Sequence, residues 1–189
     1  MEVNVTIYIV VAVVIGVVLI LIYNNLVGKK NQVANAFSGI DVLLKKRFDL
    51  IPNLTKVVKR YMQHEADLLT QVTEMRSKAM SGQMTEAETV DMDQKVTGAL
   101  GKIMAMVENY PDLKASENFL HLQASLNEVE EQISASRRAY NASVRDYNNA
   151  IEMFPGNIVA ALIRYQRKVF FQVDAGESQP VDAGQFLTS

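Results

Sequence analysis

The sequence predicts an all-α protein, in which one N-terminal transmembrane helix is followed by an antiparallel up-down bundle of three to four long helices. Three observations support this fold class. The stretch between Glu2 and Lys29 carries no charged side chain and is mostly apolar. Beyond it, apolar residues recur every three or four positions, which is the period of one helix face. Only 9 glycines and 4 prolines interrupt the 189 residues, too few for a turn-rich β fold.

These patterns divide the chain into three parts. Residues 1–28 form a short N-terminal segment and the transmembrane helix, and residues 29–172 form the helical bundle. Residues 173–189 contain acids and small polar residues but no bases. A segment of this composition has too little apolar surface to form a packed core, so we expect it to be a disordered tail.

The membrane helix is predicted from length and composition. Residues 5–23 are apolar and would span about 28 Å as a helix, close to the roughly 30 Å thickness of a hydrocarbon core. Tyr8 and Tyr23 lie near its two ends, where interfacial aromatic residues concentrate. A cleaved signal peptide is the alternative, but no basic residue precedes the apolar block and no small-residue cleavage site follows it.

The flanking charges predict the orientation. Only Glu2 and the chain terminus precede the apolar block, whereas Lys29 and Lys30 follow it directly. The positive-inside rule therefore predicts a single-pass protein of the inner cell membrane, with the N-terminus outside and the bundle in the cytoplasm. Translocation of the bundle to the opposite side stays open as the alternative.

The second element continues the membrane helix. An apolar stripe runs through Val33, Phe37, Ile40, Leu44, Phe48, Ile51, Leu54, Val58 and Tyr61, and resumes at Leu68, Val72 and Met75. Because the stripe keeps its phase across Pro52, we expect a proline kink near Phe48 and not a break. The helix is predicted to end at Ser81-Gly82.

Three further helices are predicted. Thr85 and Glu88 have the spacing of a capping box, which marks the start of the third element. Residues 109–112 form a turn, and residues 115–154 then keep helical spacing throughout, up to Pro155-Gly156. Such a long stripe has to pack against the earlier helices, as in an up-down bundle. Residues 158–163 are predicted to form a short helix at one end of the bundle.

Several short residue runs carry a resemblance. They are Tyr23-Asn24-Asn25-Leu26-Val27, Asn35-Ala36-Phe37-Ser38, Asp49-Leu50-Ile51-Pro52-Asn53-Leu54, the pairs Tyr140-Asn141 and Tyr147-Asn148, and Phe154-Pro155. Over roughly residues 20 to 155 the chain resembles the LemA family. The resemblance implies a membrane-anchored helical bundle, and one branch of that family is tied to magnetosome membrane formation. It implies a role in membrane organisation and supplies no active site.

A group of polar residues on the second helix forms the first candidate interaction site. Its members lie beside the apolar stripe: Asp41, Lys45, Arg47, Asp49, Pro52 and Asn53. One interpretation is a polar network that fixes helix register or receives a partner, helped by the Phe48 carbonyl that Pro52 leaves without its helical donor. The other is a set of solvated pairs four residues apart, each contributing a few tenths of a kcal/mol.

The second candidate site is the Tyr-Asn repeat. Tyr140-Asn141 and Tyr147-Asn148 are seven residues apart, so both pairs lie on one stripe of the fourth helix. We expect the rings to fill the space between helices while each hydroxyl finds a hydrogen-bond partner. A contact surface for another protomer is the alternative.

Charge is distributed unevenly along the chain. Residues 29–60 hold eight bases against two acids, although the net charge is −2. The candidate charge contacts are the bases Lys45, Lys46, Lys56, Lys59 and Arg60 and the acids Glu86, Glu88, Asp91 and Asp93. The bases are predicted to touch anionic lipid or the acidic segment of another copy. Nucleic acid is not an expected partner of a net negative domain.

The functional hypotheses follow from what the residues offer. Without cysteine, thiolate chemistry and disulfides are excluded. His64-Glu65 has no second ligand at helical spacing, so no metal, cofactor or catalytic residue is predicted. We expect a non-enzymatic structural protein that self-associates through its bundle, as a homo-oligomer, and organises or remodels the membrane. The alternative is an envelope adaptor that recruits another membrane protein, such as a protease or a signalling partner.

Overall fold

The computed structural model describes residues 2–62, 66–82 and 84–171. The tail 173–189 and His64-Glu65 lie outside the described residues. Within these ranges the chain forms α1 (Glu2–Lys59), α2 (Ala66–Met80), α3 (Glu86–Val107), α4 (Pro111–Lys114), α5 (Glu117–Glu152) and α6 (Gly156–Leu162). The all-α prediction is confirmed.

Helix α1 joins the apolar N-terminal segment to the bundle without interruption and passes through Pro52. Its apolar part, with a mean hydropathy of 3.3, makes it the one helix of the described residues long and apolar enough to cross a membrane. Large apolar side chains between Val5 and Tyr23 are exposed. From Leu26 onward the apolar stripe is instead buried against the other helices, up to Met62.

The end of the second element differs from the prediction. The helix ends at Lys59 instead of Ser81-Gly82, and α2 runs back along it. Arg76 of α2 donates a hydrogen bond to the carbonyl of Phe48 at 3.0 Å, which places the end of α2 beside α1 well before the end of that helix. Helical periodicity reports which face is apolar but not the direction of the chain. A seven-residue gap in the stripe, between Tyr61 and Leu68, signals an interruption of the helix but not the change of direction.

Helices α1, α2, α3 and α5 form an up-down four-helix bundle. The capping box predicted at Thr85 and Glu88 starts α3, and the amide of Thr85 donates to the Glu88 carboxylate at 2.8 Å. This hydrogen bonding lowers the pKa of Glu88. Helix α4 connects α3 to α5, and α5 runs antiparallel to α1. Lys29 of α1 accordingly lies 3.3 Å from Asp146, near the end of α5.

Helix α5 ends at Glu152, slightly before the predicted end, and the side chain of Phe154 is 80% exposed instead of filling the stripe. The short helix predicted after Pro155 is confirmed as α6. It packs on α1 and α5 through its buried residues Gly156, Val159 and Ala160. Residues 165–171 then continue without helical structure along the bundle.

Gly156 is a position where the packing requires glycine. A Cβ there would overlap the carbonyl oxygen of Ala150, which belongs to the backbone and cannot rotate away. We predict that Gly156→Ala destabilises the protein by about 1–3 kcal/mol through overpacking. Gly101→Ala is the matched control, since a Cβ at Gly101 meets nothing within 4 Å.

Gly101 lies within α3, where alanine favours the helix more than glycine does. Gly101→Ala should therefore stabilise the fold by about 0.5–1 kcal/mol. Urea unfolding followed by circular dichroism would measure both changes. Equal effects of the two substitutions would contradict the packing of α6 on α5.

Candidate functional site

A closed ring of alternating charges lies where α1, α3 and α5 meet, and we call Arg47, Asp93, Glu130 and Arg137 the charge ring; Arg47 and Asp93 are buried, whereas Glu130 and Arg137 are partly exposed. Arg47 of α1 donates to Asp93 of α3 at 3.0 Å and to Glu130 of α5. Arg137 of α5 donates to the other oxygen of Asp93, and its Nη1 lies 3.5 Å from Glu130. Thr97 adds an acceptor for Arg47 at 2.9 Å. The ring therefore connects three helices.

Burial governs the electrostatics of the ring. The side chains of Arg47 and Asp93 are each only 1% exposed. Desolvation lowers the pKa of Arg47 to about 10, although the charge of Asp93 raises it, and Arg137 adds a further lowering effect. Arg47 is still protonated at neutral pH, so two cations face two anions. Removing one member would leave a buried charge uncompensated.

The polar residues predicted on the second helix separate into two groups. Arg47 takes part in a buried network, as in the first interpretation. Asp41 and Lys45 form an exposed pair at 2.7 Å, as in the second. Asp49 and Asn53 are exposed, and Asp49 lies 3.7 Å from Arg76. The Phe48 carbonyl freed by Pro52 accepts its hydrogen bond from that same arginine.

The predicted charge contacts with another copy need one correction. Asp93 is buried and paired within its own chain, so it is not available to a second molecule. Other acids of the set have partners in the chain but keep exposure: Asp91 pairs with Lys95 at 2.6 Å, and Glu86 with Lys168 at 3.0 Å.

Among the bases, Lys46 lies 3.8 Å from Glu128, and the side chains of Lys56, Lys59 and Arg60 are exposed. The sequence interpretation missed Glu130 and Arg137. Their seven-residue separation beside the α5 stripe, matching that of the Tyr-Asn pairs, is the signal that points to them.

The second arrangement is formed by Tyr140, Asn141, Tyr147 and Asn148, which we call the Tyr-Asn clamp, and by residues 166–171, which we call the strap. The side-chain amide of Asn148 donates to the carbonyl of Lys168 at 3.0 Å and accepts from its N–H at 2.9 Å. Asn141 makes the same pair of hydrogen bonds with Phe171, at 3.0 and 2.8 Å.

Both tyrosines also bind the backbone of the strap. The hydroxyl of Tyr147 donates to the carbonyl of Gln166 at 3.0 Å, and that of Tyr140 to the carbonyl of Val169 at 3.2 Å. Desolvation, with a smaller contribution from Glu86, raises the pKa of Tyr140 to about 12, so its hydroxyl is a neutral donor at physiological pH. Desolvation and the neighbouring Tyr165 also raise the pKa of Tyr147.

The seven-residue spacing of the clamp has a geometric reason. Seven residues of helix advance about 10.5 Å, and three residues of extended chain advance about 10 Å. The bonded residues of the strap are three apart, Lys168 and Phe171 for the asparagines. Because each clamp side chain bonds only to main-chain atoms, the clamp recognises an extended backbone at a fixed repeat.

The charge ring predicts a large difference between two aspartates of α3. Asp93→Asn leaves Arg47 and Arg137 facing a neutral group in a buried site, and removing one partner of a buried pair costs about 3–5 kcal/mol. Asp91→Asn is the control, since Asp91 is exposed and loses only a surface pair, a cost of about 0–1 kcal/mol. Urea unfolding of the full-length protein measures both, and similar losses would contradict a structural ring.

The clamp predicts a local effect of Asn148→Ala. Two hydrogen bonds to Lys168 are lost, each contributing roughly 0.5–1.5 kcal/mol, so amide hydrogen exchange in the strap should accelerate about tenfold or more. The neighbouring Asn149→Ala is the control, because the Asn149 side chain is exposed. Unchanged exchange in the Asn148 variant would mean that the clamp does not hold the strap.

Comparison with known proteins agrees with this architecture. The chain is 27% identical to "Protein LemA" of Metamycoplasma hominis, over 86% of this chain and 74% of that protein. It is 25% identical to "Magnetosome protein MamQ 2" of Paramagnetospirillum magneticum and 24% identical to "Magnetosome protein MamQ" of Magnetospirillum gryphiswaldense. Both of these matches cover 89% of this chain and 71% of the relative.

The family model described as LemA family matches residues 36–183. The match contains the charge ring, the Tyr-Asn clamp and the strap, and it extends past the residues that carried the resemblance in the sequence. It covers well over half of the chain. The chain therefore belongs to the LemA family.

Proposed function

We propose that this chain is a non-enzymatic structural protein of the inner membrane that self-associates through its bundle and organises or remodels the membrane. The observation that carries the proposal is the continuity of α1, Glu2–Lys59. The helix is about 87 Å long, and it supplies both the apolar span and one full side of the bundle. The orientation is that predicted from Lys29 and Lys30, with the N-terminus outside and the bundle in the cytoplasm.

A continuous helix has a mechanical consequence. A flexible linker would let a bundle rotate independently of its anchor, whereas a helix packed along the bundle fixes the direction in which the span leaves it. Contacts between bundles would therefore set the spacing and tilt of their membrane spans. This coupling supports a role in shaping the bilayer. The relatives named as magnetosome proteins also support a role at a membrane.

Exposed charges supply a contact between copies. Lys56, Lys59 and Arg60 lie at the far end of α1, whereas Glu88 and Asp91 lie near the level of Arg47, to which Asp93 is bonded. The two sets therefore lie about 20 Å apart along the bundle axis. Copies staggered in height, as on a curved membrane or between two facing membranes, would bring opposite charges together.

The test is the solution mass of the full-length protein in lipid nanodiscs or mild detergent, at low and high salt. We expect assemblies at low salt that dissociate at high salt, because exposed ion pairs are screened. Lys56→Glu combined with Lys59→Glu should shift the mass towards the single copy. Lys102→Glu combined with Arg138→Glu makes the same charge change at other exposed positions and should leave assembly intact.

The adaptor hypothesis is favoured by one surface feature. A groove between α3 and the strap is lined by Ala87, Val90, Val169 and Phe170, and the last two are exposed apolar side chains. A single-copy mass at every salt concentration would contradict self-association. Together with a defined complex containing another membrane protein, that mass would support the adaptor hypothesis.

A further inference from the structure

Four large apolar side chains are exposed on α6 and just before it, and we call them the proximal patch. They are Met153 at 65% exposure, Phe154 at 80%, Ile158 at 59% and Leu162 at 84%. Two of them follow the end of α5, and the other two lie four residues apart on the outward side of α6. The inward side of α6 is apolar as well, and Asn157 is the one polar side chain of this short helix.

The position of the patch explains its composition. Helix α6 packs beside Leu26, whose Cδ2 lies 3.9 Å from the place of a Cβ on Gly156. Leu26 is only three residues, about 4.5 Å of helix, beyond Tyr23 at the end of the apolar span. The patch therefore lies at the end of the bundle that adjoins the apolar part of α1.

Cationic side chains surround the same end of the bundle. Lys29 and Lys30 lie on α1, and the ammonium of Lys30 sits 4.9 Å from the ring centre of Tyr165. Exposed Arg164 lies two residues after the end of α6, and Arg167 pairs with Glu152 at 2.9 Å. Apolar side chains bordered by bases and a tyrosine form the pattern of a segment lying in a membrane interface.

We propose that the proximal patch is a second membrane contact, inserted into the headgroup–acyl boundary of the bilayer that α1 spans. The inference rests on the membrane anchoring of the proposed function and not on self-association. A span alone leaves the bundle free to tilt about its point of exit. A second contact beside the span fixes the tilt and the height of the bundle.

Tryptophan fluorescence of the full-length protein in nanodiscs tests the contact, because the natural chain contains no tryptophan. Phe154→Trp and Leu162→Trp place probes in the patch, at side chains that are mostly exposed. Val14→Trp marks the middle of the span. Leu120→Trp is the matched control, exposed in the first turn of α5, at the opposite end of the bundle and about 45–50 Å along the helix.

We expect the patch probes to emit at shorter wavelength than the Leu120→Trp probe. Lipids brominated near the headgroup should quench them about twofold or more, since interfacial side chains sit roughly 5–10 Å into the headgroup–acyl boundary. The Val14→Trp probe should be quenched by lipids brominated deeper in the acyl chains, and the Leu120→Trp probe by neither.

Each other outcome overturns the proposal in a distinct way. If the Val14→Trp probe is quenched but both patch probes are not, the anchor stands and the second contact is wrong. Short-wavelength emission of the patch probes without quenching would mean that protein covers the patch instead of lipid. If the Leu120→Trp probe is quenched as strongly as the patch, the whole bundle lies along the membrane. If lipids brominated deep in the acyl chains do not quench the Val14→Trp probe, α1 does not span the membrane and the anchor itself is wrong.

Discussion

The packing of α5 along α1 is the constraint on which the rest of the structure depends. Helix α1 leaves its apolar span with a stripe of buried residues from Leu26 to Val58, and this stripe has to be covered for its whole length. Helix α2 packs against part of it, and α5, Glu117–Glu152, extends about 54 Å and is long enough to run along the stripe. Its antiparallel course returns the chain to the membrane end of the bundle. Helix α6 and the strap are placed there as a result.

The charge ring gives this packing its register. Apolar side chains of similar size can slide past one another at little cost, whereas Arg47 reaches Asp93 and Glu130 in only one alignment of three helices. A buried ion pair adds little stability when compared with an apolar replacement. Any misaligned packing, however, would leave one of its charges buried and unpaired, at a large cost in free energy. The clamp fixes the position of the strap in a similar way, because the seven-residue spacing of its asparagines on α5 matches three residues of extended backbone.

These features support a mechanical description of the protein. The span, the bundle and the strap are linked by direct packing and hydrogen bonds. A contact made at the far end of the bundle can then act on the orientation of the span, and the proximal patch would resist that motion at the membrane surface. In the function proposed above, shape and surface charge would act in place of a reaction centre.

The sequence by itself determined the elements, because helical period, capping and proline position are local properties. It was sufficient to predict the apolar N-terminal helix, the capping box at Thr85, the helical stripe of α5 and the short helix after Pro155. The tertiary structure alone decided the reversal between Lys59 and Ala66, since periodicity carries no information on chain direction. It also decided that Asp93 is buried and that the Tyr-Asn pairs bind the strap. Such pairings join residues distant in sequence, and a charge or an amide looks the same in sequence whether water or another helix surrounds it.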